Sequence, residues 1–134
     1  MIHLIYISSA TRPMGEQDLL DLLEQSRSRN LRQQVTGMLV YRDGAFLQVL
    51  EGEAADVQEI YRSIVMDDRN TGHYLIEKKP ITERNFPNWS MGFEDLTQCP
   101  ADELAGYSDI FINGASPDQI AKYKDMAVSL LLKF

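Results

Sequence analysis

Ala45-Phe46-Leu47-Gln48-Val49-Leu50-Glu51-Gly52 is the stretch on which the reading of the fold turns. It is a short, nearly unbroken apolar run preceded by turn residues, and this predicts a buried strand. Gln48 is the residue out of place. Side chains alternate along a strand, so its amide shares a face with Phe46 and Leu50. Burying that amide without partners would cost free energy, so something inside the protein must hydrogen-bond it. An amide both donates and accepts, and it exchanges the two roles by rotating. Gln48 therefore reads as a switch rather than a prop.

Outward from this strand the hydrophobic period alternates. Asp43-Gly44 is a hairpin turn signal joining it to a preceding strand, Gly37 to Tyr41. Upstream, Leu19, Leu20, Leu22 and Leu23 predict a helix over 16–29, with Asn30 where it should stop. Before that helix, residues 2–8 form a first strand with Ile2, Leu4, Tyr6 and Ser8 on one side. Downstream, Val57, Ile60, Tyr61, Ile64 and Val65 give the cleanest amphipathic helix of the chain. A polar turn over 67–72 leads to a strand near 73–79, and a loop holding Pro80 and Pro87 precedes a last strand, Trp89 to Phe93. The expected fold class is α+β: a ferredoxin-like β-α-β-β-α-β-β sandwich with two helices on one sheet face. Residues 97–134 are expected to form a helical C-terminal extension on this 1–96 domain. There, Ser116-Pro117-Asp118-Gln119 is a capping pattern opening a stripe of Ile120, Tyr123, Ala127, Leu130, Leu131 and Phe134.

Composition narrows the function classes. At 134 residues the chain can bury one real core. A net charge of −7 argues against binding nucleic acid or an anionic membrane. The N-terminus carries no signal-peptide pattern, and no apolar run reaches membrane-spanning length. The single cysteine, Cys99, supplies neither a disulfide framework nor a multi-cysteine metal site. A cytoplasmic protein without a metal centre is the expectation. His3 and His73 have no ligand companions and are given no role.

Several segments together resemble the BLUF domain family: Tyr6-Ile7-Ser8, Asn30, Thr36-Gly37-Met38-Leu39, Phe46 to Gly52, Asp67-Asp68-Arg69 and Asn88-Trp89-Ser90-Met91. The resemblance covers about residues 1–96, with order and spacing intact, and as a set it is specific. It implies a blue-light receptor that binds FAD non-covalently between the two helices. In such proteins the equivalent of Gln48 bonds the flavin ring and that of Tyr6 bonds the glutamine amide. Light then draws an electron and a proton from the tyrosine and leaves the amide rotated or tautomerised. The resemblance assigns cofactor-binding roles to Tyr6, Ser8, Leu22, Asn30, Gln48, Ile64, Asp67, Arg69 and Met91, and a signal relay to Trp89 and Met91.

Each of these residues also has an ordinary reading. Tyr6, taken alone, is a core tyrosine. Asn30 is equally a left-handed residue ending a helix. Ser8 can bond locally, and Leu22, Ile64, Trp89 and Met91 can be plain core. Asp67 and Arg69 fall in a turn where exposed charge is usual. Arg29, just before Asn30, departs from the smaller side chains common in the family and touches on how the ring edge is held.

Two other classes compete with the sensor. An acylphosphatase-like enzyme would use Ser8-Ser9-Ala10-Thr11-Arg12-Pro13, which lacks the glycine-rich cradle for a phosphate. A ferredoxin-like interaction module would leave the flavin site empty. The sensor reading implies no catalytic activity in this chain. Its signal would leave through a homo-oligomer or an unidentified downstream protein.

Overall fold

A computed structural model describes residues 1–88, 90–95 and 97. Trp89, Cys99 and the helix expected beyond residue 116 lie outside these. The elements run β1 (Ile2–Ala10), α1 (Glu16–Arg32), β2 (Thr36–Arg42), β3 (Ala45–Gly52), α2 (Ala54–Met66), β4 (Asn70–Pro80) and β5 (Gly92–Asp95). Their order in one sheet is β4-β1-β3-β2-β5. β1 lies antiparallel to both β3 and β4, and β2 lies antiparallel to β3. β1 and β2 are thus parallel with β3 between them, and β3 and β4 are parallel with β1 between them. Each pair is joined through one helix. This is the expected ferredoxin-like split β-α-β arrangement, with β5 added parallel to β2 at one edge.

Local chemistry explains the elements. The β2–β3 turn holds Asp43 at φ 47° and Gly44 at φ 87°, the two positive dihedrals of a two-residue hairpin. Gly37 is required by close approach rather than by its dihedrals. A Cβ there would stand 1.9 Å from the Val49 carbonyl oxygen across the hairpin. The helices bury Leu19, Leu23, Val57 and Ile60 against Leu4, Tyr6, Leu39, Tyr41, Phe46 and Leu50 on one sheet face. On the opposite face Ile5, Ile7, Met38, Val40, Leu47 and Val49 are buried as well, in keeping with the apolar strand runs. His3 and Glu77 pair on that face at 2.6 Å, both buried.

Three expectations about boundaries are corrected. The helix does not stop at Asn30. Residue 30 sits fully buried in the last turn, the helix runs to Arg32, and the left-handed residue is Gln34 at φ 55°. The Asn30 carbonyl, which accepts the N–H groups of Gln33 and Val35, closes the helix from one turn back. The polar turn after α2 is shorter than expected, since β4 already begins at Asn70. The last strand starts at Gly92, not at residue 89. The carbonyls of Ser90 and Met91 are taken by Asn30 and Arg27 of α1, at 2.8 and 2.9 Å. Ladder pairing with β2 therefore starts one residue later, at Met38 opposite Gly92.

Glu51 brings the chain back to this edge. Its buried carboxylate accepts the backbone N–H groups of Asn85 and Phe86, both at 2.8 Å. Its own carbonyl accepts a bond from Arg84 at 3.0 Å. Charge-assisted bonds of this kind fix a loop firmly, and this loop delivers residues 90–91 to the end of α1.

Candidate flavin site

Between the two helices and the sheet lies a cavity of about 220 Å³. Its floor is Tyr6 from β1, Leu39 from β2, and Phe46 and Gln48 from β3. The α1 wall presents Leu22, Gln25, Ser26 and Arg29, one helical face at three- and four-residue spacing. The α2 wall presents Ser63 and Ile64, and the rim is Asp67, Arg69 and Asn70.

The hydrogen bonding on the floor follows from register. Tyr6 is the direct cross-strand partner of Gln48 on one side, and Leu39 is its partner on the other. The Tyr6 hydroxyl donates to Gln48 Oε1. Burial pushes the Tyr6 phenol far above its ordinary pKa, so it stays a neutral O–H donor. Gln48 Oε1 is thereby the acceptor, and Nε2 is left to donate elsewhere. It donates to Met91 Sδ at 3.3 Å. Tyr6 also stacks obliquely on Tyr61 and His73, with ring centroids 5.2 and 6.1 Å away.

The rim is a charged clasp. Asp67 accepts bonds from the Arg69 side chain and backbone, which lower its carboxyl pKa and raise that of the guanidinium. Arg69 Nη2 also reaches Gln25 on α1 at 3.0 Å, so the clasp spans both walls. Asn70 Nδ2 caps the end of α2 by donating to the carbonyls of Ile64 and Asp67. Arg29 is different. Its guanidinium is half-buried, burial lowers its pKa, and among the described residues its side chain bonds only Asn30 Oδ1, at a long 3.5 Å.

Of the residues expected at the site, Tyr6, Leu22, Gln48, Ile64, Asp67 and Arg69 line the cavity. Ser8, Asn30 and Met91 stand in the layer behind it. Ser8 is buried opposite Phe46, and among the described residues its hydroxyl has no hydrogen-bond partner. Asn30 turns its amide to the Ser90 carbonyl. Met91 is buried against Gln48. Residues the sequence reading did not include are Gln25, Ser26, Leu39, Phe46, Ser63 and Asn70. Gln25, Ser26 and Arg29 carried a legible signal, because they share a helical face with Leu22. Among the described residues no cluster of three metal-ligating side chains occurs, and no helix is long and apolar enough to cross a membrane.

The cavity suits a flat ring with heteroatoms on its edge. Leu22, Leu39, Phe46 and Ile64 offer an apolar slot, while the Gln48 amide and the Arg29 guanidinium converge on it as polar groups. Its volume is below the about 300–1,000 Å³ of whole small-molecule pockets.

The family model described as sensors of blue-light using FAD matches residues 1–92. The photoactivated adenylate cyclase subunit beta-like protein FB of Euglena gracilis is 37% identical over 105 residues, which is 78% of this chain and 12% of that protein. The chain therefore spans about an eighth of that relative. The dark-state structure of BlrB, a BLUF protein, superposes with a TM-score of 0.73 at 28% identity, covering 96% of both chains. The photo-activated state of BlsA superposes with a TM-score of 0.77 at 28% identity, covering 98% of this chain and 94% of that one. The chain belongs to the BLUF family of blue-light sensors using FAD.

Proposed function

We propose that this chain senses blue light through FAD bound in the cavity, and that the Gln48 amide is the element light resets. The observation carrying this reading is the Tyr6 hydroxyl on Gln48 Oε1 at the cavity floor. Leu22 and Ile64 would flank the ring from the two helices, and Gln48 would bond its edge. Asp67 and Arg69 would meet the polar chain of the FAD. Ser8, Asn30 and Met91 would act from behind, by holding the residues that touch the ring.

A bound flavin supplies a strong oxidant on absorbing blue light. The protein's own part is to hold a donor and a proton path ready. Tyr6 is a neutral phenol, able to give up an electron and its Oη proton together. Among the described residues the hydrogen-bond acceptor on that hydroxyl is Gln48 Oε1. A proton arriving there frees the amide to turn, and on return its donor and acceptor ends are exchanged. Nothing is consumed, and the product is an altered hydrogen-bond pattern.

The chain carries no catalysis of its own in this reading. The Euglena relative, named as a photoactivated adenylate cyclase, is far longer than this chain, which supports output through another domain or protein. Residues 97–134, with the apolar stripe from Ile120 to Phe134, are the segment we assign to that output, through a homo-oligomer or a downstream partner in the cytoplasm. The test is an absorption spectrum of the protein reconstituted with FAD, in the dark and under blue light. A reversible red shift is expected. A flavin-loaded protein whose spectrum does not move would overturn the reading.

A further inference from the structure

Met91 is placed so that its sulfur can tell which way the Gln48 amide points. A thioether accepts hydrogen bonds and never donates them. With Oε1 on the Tyr6 hydroxyl, Nε2 faces Met91 Sδ at 3.3 Å and the pair is matched. With the amide turned over, a carbonyl oxygen would face the sulfur, and two acceptors would meet without a proton between them. Met91 is 2% exposed, so no water can relieve that mismatch without the side chain first moving away.

Whether it moves is decided by its backbone. Arg27 Nε donates to the Met91 carbonyl at 2.9 Å, and Asn30 Nδ2 to the Ser90 carbonyl at 2.8 Å. The two donors are three residues apart on α1, hence on one face. They grip consecutive carbonyls of a segment that is continuous with β5. Arg27 lines no part of the cavity.

We propose that Arg27 is a positioning residue: by holding the Met91 carbonyl it keeps the sulfur against Gln48, penalises the turned amide and so sets how quickly the lit state decays. This rests on the reading above that light turns the Gln48 amide. Weakening the grip lets Met91 withdraw, which relieves the turned amide and lengthens the lit state.

The test compares Arg27→Met, which keeps length without a donor, with Arg27→Lys, which keeps a donor. In the FAD-loaded full chain Arg27→Met should slow dark recovery by about five- to tenfold, the net scale of one part-buried hydrogen bond. Arg27→Lys should stay within about twofold of wild type, since it retains a donor. In a Met91→Leu background, Arg27→Met should change recovery by less than about twofold, because two sites acting through one contact are not additive. A second readout needs no flavin: with methyl-labelled methionine, the Met91 resonance of the flavin-free chain should shift or broaden in Arg27→Met and stay in place in Arg27→Lys. Recovery at the wild-type rate, faster recovery, or equal slowing without Met91 would each overturn the proposal. If the wild-type protein shows no light response at all, the function reading falls, while the methyl resonance still decides whether Arg27 holds Met91.

Discussion

Tyr6 and Gln48 face each other as direct partners across β1 and β3, and the tyrosine hydroxyl donates to the glutamine amide oxygen. A one-residue slip in that register would turn one side chain to the other face of the sheet and separate them. The pair to which we assign the photochemistry is therefore a consequence of strand pairing. Its environment keeps it ready: the phenol is held neutral by burial, and the amide has a second, weaker partner in Met91.

Tyr6→Phe removes the donor while leaving the ring in the core. It should cost about 1–3 kcal/mol of stability, because Gln48 Oε1 loses its partner. The photochemical effect should be far larger: flavin fluorescence rises and the light-induced shift disappears. Fluorescence and shift both unchanged would show Tyr6 to be core alone.

Arg69→Ala opens the clasp between the α2–β4 turn and α1. It removes the bonds to Asp67 and to Gln25. We expect FAD affinity to fall about tenfold, on the scale of a lost charge-assisted contact, with the light-induced shift intact in the bound fraction. Titration followed by flavin fluorescence measures it. Unchanged affinity would remove Arg69 from the binding site.

Glu51→Ala takes the acceptor from two backbone N–H groups, the buried one of Phe86 and the part-buried one of Asn85. A loss of about 1–3 kcal/mol is expected in urea unfolding. Because this loop sets residues 90–91, dark recovery should change as well. A destabilised variant with wild-type recovery would separate the loop from the switch.

Stability should fall on both sides of neutral pH. Burial lowers the His73 pKa, and the Arg69 bonds lower that of Asp67. For both groups the unfolded chain takes up protons first as pH drops, so the folded state is progressively lost. The His73 contribution goes as pH falls below its ordinary value of about 6.5, and the Asp67 contribution goes below about 3.9. Burial raises the Tyr6 and Tyr61 pKa values. There the unfolded chain releases protons first, and stability falls as pH rises through about 10. Urea midpoints across this range give the test, and Tyr6→Phe should flatten the alkaline side. An alkaline side unaffected by that substitution would mean that Tyr6 is not held neutral by the fold.

What could be read from the sequence was whatever local patterning controls. β3 runs from Ala45 to Gly52, as its apolar run implied, and the Asp43-Gly44 turn is where its residue types put it. Period two put Gln48 with Phe46 and Leu50 and Tyr6 with Leu4 and Ser8, while the pairing of the two was implied by the family resemblance. The end of α1 and the start of β5 were misread together, for one reason: the amide of Asn30 bonds Ser90, sixty positions away, and no local signal announces such a contact. Asn30 looked like a helix terminator because its type favours that place. Here its side chain is spent on the returning chain. Asn70 was passed over because it sits in a run of turn-like residues, yet it caps α2 and lines the cavity.

The most direct test is the light-minus-dark absorption spectrum of Gln48→Leu beside wild type, both loaded with FAD. The substitution keeps bulk at a position 3% exposed and removes only the amide. The account expects the variant to hold flavin through the helix walls and rim, and to show no red shift under blue light that shifts the wild type. A normal, reversible red shift in Gln48→Leu would contradict it.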